Sequence, residues 1–207
     1  VVLIGLPAYF LFYRAPTCFD GARNGDETGV DCGGSCQLLC RAESLSLIIK
    51  GDPRVLTVAS STYEVVVLVE NPNSDAEIYH AGYTIKVYDA ENATPLKVIE
   101  GETYAPKGAT FVILEGPFTV ESGGVPKRAT LEWKEESFVW EKNAVSSPHF
   151  ELKQSVLSRE SSTPRLDILL QNLSLKEAQN IDLVALLSDA EGNIFAASKT
   201  FIERLGP

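Results

Sequence analysis

The chain has 207 residues, a formal net charge of -10 and 44% apolar residues, with a pI near 4.7. That length allows one or two domains with ordinary cores. The acidity excludes a phosphate backbone as partner, because nucleic acid demands a dense Lys/Arg face, and the longest basic stretch here is Lys127-Arg128.

The chain opens on VVLIGLPAYFLFY, an uncharged run of thirteen followed by Arg14. Phe10, Phe12 and Tyr13 before a basic stop form an aromatic belt of the kind found at a membrane–water boundary. Residues 1–14 are therefore expected to be the outer half of a membrane anchor helix, cut short of the ~20 apolar residues a full span requires. A buried strand and a signal-peptide core are the competing readings. The membrane is the first expected partner.

All four cysteines follow within residues 15–41: Cys18, Cys32, Cys36 and Cys40, separated by thirteen, three and three residues. Structural zinc sites present two tight cysteine knuckles well apart, and this spacing does not. Beside a membrane anchor, two disulfides are the better reading. Three connectivities are open, of which Cys18–Cys36 with Cys32–Cys40 is favoured.

The window also holds Asp20, Asn24, Asp26, Glu27 and Asp31, five oxygen-bearing side chains within twelve residues. Against a twelve-residue calcium loop counted from Asp20, Asn24, Gly25, Asp26 and Asp31 fall at positions 5, 6, 7 and 12, while position 3 is Ala22. A solvated turn whose glycines serve positive-φ positions is the alternative. The stretch resembles a recurrent motif of secreted and surface proteins, C-x-D-G-x-x-N-G-x-E-x-G-x-D-C-G-G-x-C, carried here by Cys18 through Cys36. That resemblance implies an extracellular, disulfide-bonded mini-module stabilised by Ca2+, with those five residues as candidate ligands.

From residue 42 the pattern turns to short alternating runs. STYEVVVLVENPN, AGYTIKVYDAEN, ATFVILEGPF and RATLEWKEE each read as a strand closed by turn residues, and together they predict a β-sandwich over 42–142. EKNAVSSPH has linker composition. A second sandwich is expected over 146–207, because PRLDILLQNLSLKEAQNIDLVALLSDAEGN can be laid over YEVVVLVENPNSDAEIYHAGYTIKVYDAEN. Asn71 then meets Asn172, and Asp89-Ala90-Glu91 meets Asp189-Ala190-Glu191. Only SLKEAQN hints at helical spacing. Copy two stops where copy one continues into two more strands, so this sandwich is expected to be incomplete and the chain a fragment clipped at both ends.

The two copies resemble FxLYD-type extracytoplasmic domains, through Ile85-Lys86-Val87-Tyr88-Asp89 and its degenerate counterpart Ala185-Leu186-Leu187-Ser188-Asp189. This resemblance implies small sandwiches of fibronectin-III-like shape, acting as binding or spacing modules without a catalytic site. The expected fold class is thus all-β: two tandem Ig/fibronectin-III-like antiparallel sandwiches after an apolar helix and a small disulfide-rich loop module.

His80 and His149 stand alone in expected turns, and no nucleophile elbow or phosphate-cradling glycine loop is present. Tyr79, Tyr83, Tyr88, Trp133 and Trp140 are expected in the sandwich core. Asn92-Ala93-Thr94 and Asn172-Leu173-Ser174 match the glycosylation sequon, a pattern that arises readily by chance. No catalytic residue and no small-molecule substrate are indicated. The expected function is a membrane-anchored surface protein for display or adhesion, meeting a protein partner outside the cell. The alternative is an accessory partner-binding subunit of a membrane or secretion assembly.

Overall fold

A computed structural model of the chain describes residues 15–120, 124–142, 148–159 and 164–207. The described residues form an all-β, antiparallel architecture. Strands β1 (Ile48–Ile49), β2 (Arg54–Ala59), β3 (Thr62–Glu70) and β6 (Thr110–Thr119) make one sheet; β4 (Ala76–Tyr88), β5 (Lys97–Ala105), β7 (Arg128–Trp133) and β8 (Glu141–Lys142) make the facing one. β3 lies central in the first sheet, with β1 and β2 on one side and β6 on the other. β4 is central in the second, between β5 and the β7/β8 line.

The core follows from the period of two in these strands. Val65, Val67 and Val69 of β3 and Ile85 and Val87 of β4 are fully buried, and Ile113 of β6 and Ala129 and Leu131 of β7 close over them. Each Val, Leu and Ile side chain among them contributes about 1.5–3 kcal/mol by leaving water.

At the end of β3, where the chain crosses to β4, sits the fully buried Asn71. Its amide nitrogen donates to the carbonyls of Ala76 (3.0 Å) and Ala105 (3.2 Å), and its Oδ1 accepts from the Asn73 amide (3.0 Å) and side chain (2.9 Å). One side chain thereby ties the crossover to the end of β5.

The second unit holds β9 (Phe150–Ser158), β10 (Arg165–Asn172), β11 (Ala178–Ser188) and β12 (Ile194–Leu205), arranged as two hairpins, each a two-stranded sheet. Asn172 has partners placed like those of Asn71: Nδ2 donates to the carbonyls of Lys176 (2.9 Å) and Leu205 (3.1 Å), and Oδ1 accepts from the Ser174 amide (2.9 Å). The units meet where Arg54 donates to Asn193 Oδ1 at 3.0 Å.

The expected fold class is corrected at its helical part. No α-helix occurs among the described residues, where the only helical turn is the 3-10 segment Glu135–Ser137. The anchor helix expected on residues 1–14 lies outside the described residues, and no described helix is long and apolar enough to cross a membrane. Gly5 and Pro7 in that run are both poor helix formers.

Smaller corrections follow the same logic of context over pattern. SLKEAQN is a bend leading into β11, because Asn172 captures its carbonyl at Lys176. Tyr79 is 42% exposed rather than in the core. His80 lies within β4 instead of a turn.

Candidate functional site

Residues 15–44 form a knot of turns with no strand of its own beyond isolated bridges. Two disulfides close it, Cys18–Cys36 and Cys32–Cys40, with Cα separations of 5.6 and 5.0 Å. Cys36 and Cys40 are buried. No cysteine of the chain is free, and two disulfides in so short a module fit an oxidising compartment.

Glycine is required at several places in the knot, of which Gly34 and Gly29 show the reason. Gly34 has φ +52°, and a Cβ there would lie 2.2 Å from the Asp26 carbonyl oxygen. A Cβ on Gly29 would lie 2.8 Å from both Cys32 Sγ and Cys40 Sγ, so the second bridge packs directly on this residue. Gly34→Ala is expected to cost about 2–5 kcal/mol of module stability, summing the left-handed backbone penalty and the clash. Titration of free thiols after oxidative refolding checks it, with incomplete pairing as the expected outcome.

The acidic residues are turned onto the amides of their own loop. Asp31 Oδ1 accepts from the amides of Asp20 (3.0 Å) and Gly21 (3.1 Å). Asp20 accepts from the amides of Thr17 (3.2 Å) and Ala22 (3.0 Å) and from Asn24 Nδ2 (2.9 Å). Asp26 accepts from the Ser35 amide (2.9 Å) and hydroxyl (2.8 Å). Glu27, 9% exposed, accepts from the Asn24 amide at 3.1 Å. Its other oxygen lies 3.4 Å from Cys36 Sγ, which is disulfide-bonded and has no proton to give.

The structure therefore sets the Asp20 carboxylate on Asn24 Nδ2, the Asp31 carboxylate on the Asp20 and Gly21 amides, the Glu27 carboxylate on the Asn24 amide and the Asp26 carboxylate on Ser35. Oxygen donors of this type suit Ca2+, and Asn24 Oδ1 is a buried acceptor with no partner. Among the described residues, however, the group of three metal-ligating types whose ligand atoms converge within 4.8 Å is Cys18, Glu27 and Cys36. Its two sulfurs are bonded, so it offers a cation only one carboxylate.

What the sequence does not disclose is how the knot is held. Gln37–Leu39 runs antiparallel to Trp140–Lys142: the Leu39 amide donates to the Trp140 carbonyl (2.9 Å), and the Lys142 amide donates to the Gln37 carbonyl (2.7 Å). Lys142 Nζ reaches the Gly34 carbonyl at 2.6 Å. Leu39 packs on the sandwich core beside Trp140, which is 4% exposed. The module is thus bonded to the strand that leads out of the first sandwich. The apolar pair Leu38-Leu39 inside an otherwise polar window is the one signal that points to it.

A second polar constellation lies on the first sandwich. Glu77, 2% exposed, accepts from the hydroxyls of Tyr79 and Tyr104, both at 2.7 Å, and the two rings stack with centroids 5.5 Å apart. Tyr83 donates to Glu115 of β6 in a short hydrogen bond, and burial, with that carboxylate beside it, pushes the phenol well above its ordinary range. His80 pairs with Glu102 at 3.1 Å on the surface, and the His149 amide donates to Ser174 Oγ at 2.8 Å. These contacts satisfy buried or surface groups in pairs.

Three aspartates share an acid-sensitive role. The Ser35 hydroxyl holds Asp26 below the ordinary aspartate value near 3.8. The Asn92 amide and side chain do so for Asp89, and the Asn193 side chain and amide for Asp189. A carboxyl depressed by folding contributes stability above its unfolded pKa and loses it as pH falls through the folded value. Thermal midpoints are therefore expected to be level down to about pH 4 and to fall below it, and Asp26→Asn is expected to flatten part of that fall.

Compared with protein-family models, curated proteins and solved structures, the chain matches none.

Proposed function

We propose that this chain is an extracytoplasmic structural module in which the disulfide knot acts as a rigid joint and the β-units project from it for display or adhesion. The observation that carries this reading is the hydrogen-bonded dock of Gln37–Leu39 on Trp140–Lys142. A cross-linked knot fixed at three backbone positions transmits orientation, whereas a free linker does not. The shared asparagine geometry of Asn71 and Asn172 supports reading the two units as copies of one design, which suits a spacer. Resemblance to surface-protein cysteine motifs and FxLYD-type domains points the same way. The uncharged stretch 1–13 supports attachment to a membrane.

Ca2+ belongs to the proposal as a structural ion of the acidic loop that holds Asp20, Asn24, Asp26, Glu27 and Asp31, bound in the weak range of extracellular modules. The orphaned Asn24 Oδ1 supports it.

Two measurements test the reading. Membrane-impermeant amine labelling of intact cells is expected to reach the lysines of this chain without lysis; labelling only after lysis would overturn the extracytoplasmic placement. Thermal unfolding of the oxidised chain is expected to shift upward in millimolar calcium, and an unchanged midpoint after chelation removes the ion.

A further inference from the structure

Glu27 differs from the other acids of the knot in what its second oxygen meets. Asp20, Asp26 and Asp31 each have both carboxylate oxygens on amide or hydroxyl donors. Glu27, 9% exposed, has only Oε2 so placed, on the Asn24 amide at 3.1 Å. Its Oε1 faces Cys36 Sγ at 3.4 Å, a sulfur bonded to Cys18 and without a proton to give. Among the described residues, no other donor reaches that oxygen. A buried carboxylate oxygen aimed at a disulfide is an unmet acceptor.

The same carboxylate faces both sulfurs of the bridge. One ligand atom each from Cys18, Cys36 and Glu27 lies within 4.8 Å of the other two, with Cys36 and Glu27 buried. Tetrahedral Zn2+, with sulfur at ~2.3 Å and oxygen at ~2.0 Å, holds sulfur and oxygen ~3.5 Å apart. Cys36 Sγ and Glu27 Oε1 already stand at 3.4 Å. Once their bond is cut, the two sulfurs separate to ~3.8 Å on such an ion. Side-chain rotation supplies that movement between Cα atoms 5.6 Å apart. Among the described residues, Cys32 and Cys40 join no such group, and the polar neighbour of Cys40 Sγ is the Thr28 hydroxyl at 3.4 Å.

We propose that Cys18, Cys36 and Glu27 form a latent site for a thiophilic divalent cation of the Zn2+ class, opened by reduction of their bridge. A dithiol reductant gives the bridge two electrons and two protons, the Sγ–Sγ bond breaks, and the reductant leaves as its own disulfide. The cation then displaces both thiol protons to solvent and forms two metal–sulfur bonds, while Glu27 Oε1 supplies the third. The fourth position is left to water. Two soft sulfurs select zinc-like ions over Ca2+ and Mg2+, which take oxygen. This is a two-cysteine site completed by an acid, distinct from the four-cysteine site that the spacing argues against. The metal closes the same 18-residue separation as the bridge, so the knot keeps that closure in either redox state. The calcium reading concerns the oxidised loop and is tested there, so each stands or falls alone.

The test uses the 207-residue chain reduced by a trialkylphosphine, with Co2+ as the probe because its absorption reports thiolate ligation and tetrahedral geometry. One Co2+ per chain, displaced by Zn2+, is the expected result. The Cys32→Ala/Cys40→Ala variant is expected to keep the thiolate band, and Cys18→Ala/Cys36→Ala to lose it. Glu27→Gln is expected to weaken Co2+ about tenfold or more. Circular dichroism of the strands checks that each variant is folded. No thiolate band in the reduced chain overturns the proposal, as does unchanged affinity in Glu27→Gln. Equal affinity in concentrated urea also overturns it, because the ion is then held by cysteines the fold has not arranged.

Discussion

Replacing Asn71 with alanine is expected to lower the unfolding free energy by about 3–5 kcal/mol, a large effect for one polar residue. The side chain is fully buried and serves two carbonyls, on Ala76 and Ala105, and the backbone and side chain of Asn73. Alanine leaves these groups without the partner they had in a fully buried place, and each buried unsatisfied group costs about 1–3 kcal/mol. Asn73 itself donates to the Leu45 carbonyl at 2.7 Å and accepts from the Leu45 amide at 2.8 Å, so the loss spreads to the entry segment. Urea unfolding checks the expectation through a lower midpoint at constant slope. A change under about 1 kcal/mol would mean that the crossover is held by strand packing alone. Asn172→Ala is expected to cost less, since the core it borders is only half-buried.

Removing both disulfides is the second large effect. The bridges close sequence separations of 18 and 8 residues, for which chain entropy gives about 3 kcal/mol each, slightly less for the shorter. The loss is expected to be local. Few apolar residues hold the knot otherwise, and its turns depend on carboxylate–amide bonds at exposed positions. Once the knot opens, the dock of Leu39 on Trp140 is released, and an indole now 4% exposed meets water. Reduction is therefore expected to red-shift tryptophan emission while far-ultraviolet circular dichroism of the strands is retained. Emission unchanged after complete reduction would show that the dock stands without the bridges.

Much of the fold was legible as local pattern. The alternation in TYEVVVLVE and TIKVY marks strands because a pleated backbone puts every second side chain on the buried face. The cysteines and the compartment they imply were legible because four thiols in one short window have few other uses. The candidate site was legible only as composition. Asp20, Asn24, Asp26, Glu27 and Asp31 are close in sequence, yet whether they face one another or their own amides depends on loop dihedrals that two cross-links impose. Asp26 finds Ser35 and Glu27 finds Cys36 across nine residues, and Lys142 finds Gly34 across more than a hundred. No periodicity encodes such pairs.

By itself, then, the sequence determined the strands, the turns and the cysteine chemistry, all of which follow from backbone stereochemistry and nearest neighbours. Only the tertiary structure decided that Asn71 and Asn172 are buried keystones and that the knot is bonded to the exit strand of the first sandwich. Those are consequences of which distant surfaces exclude water from one another, and that is settled when the sheets pack.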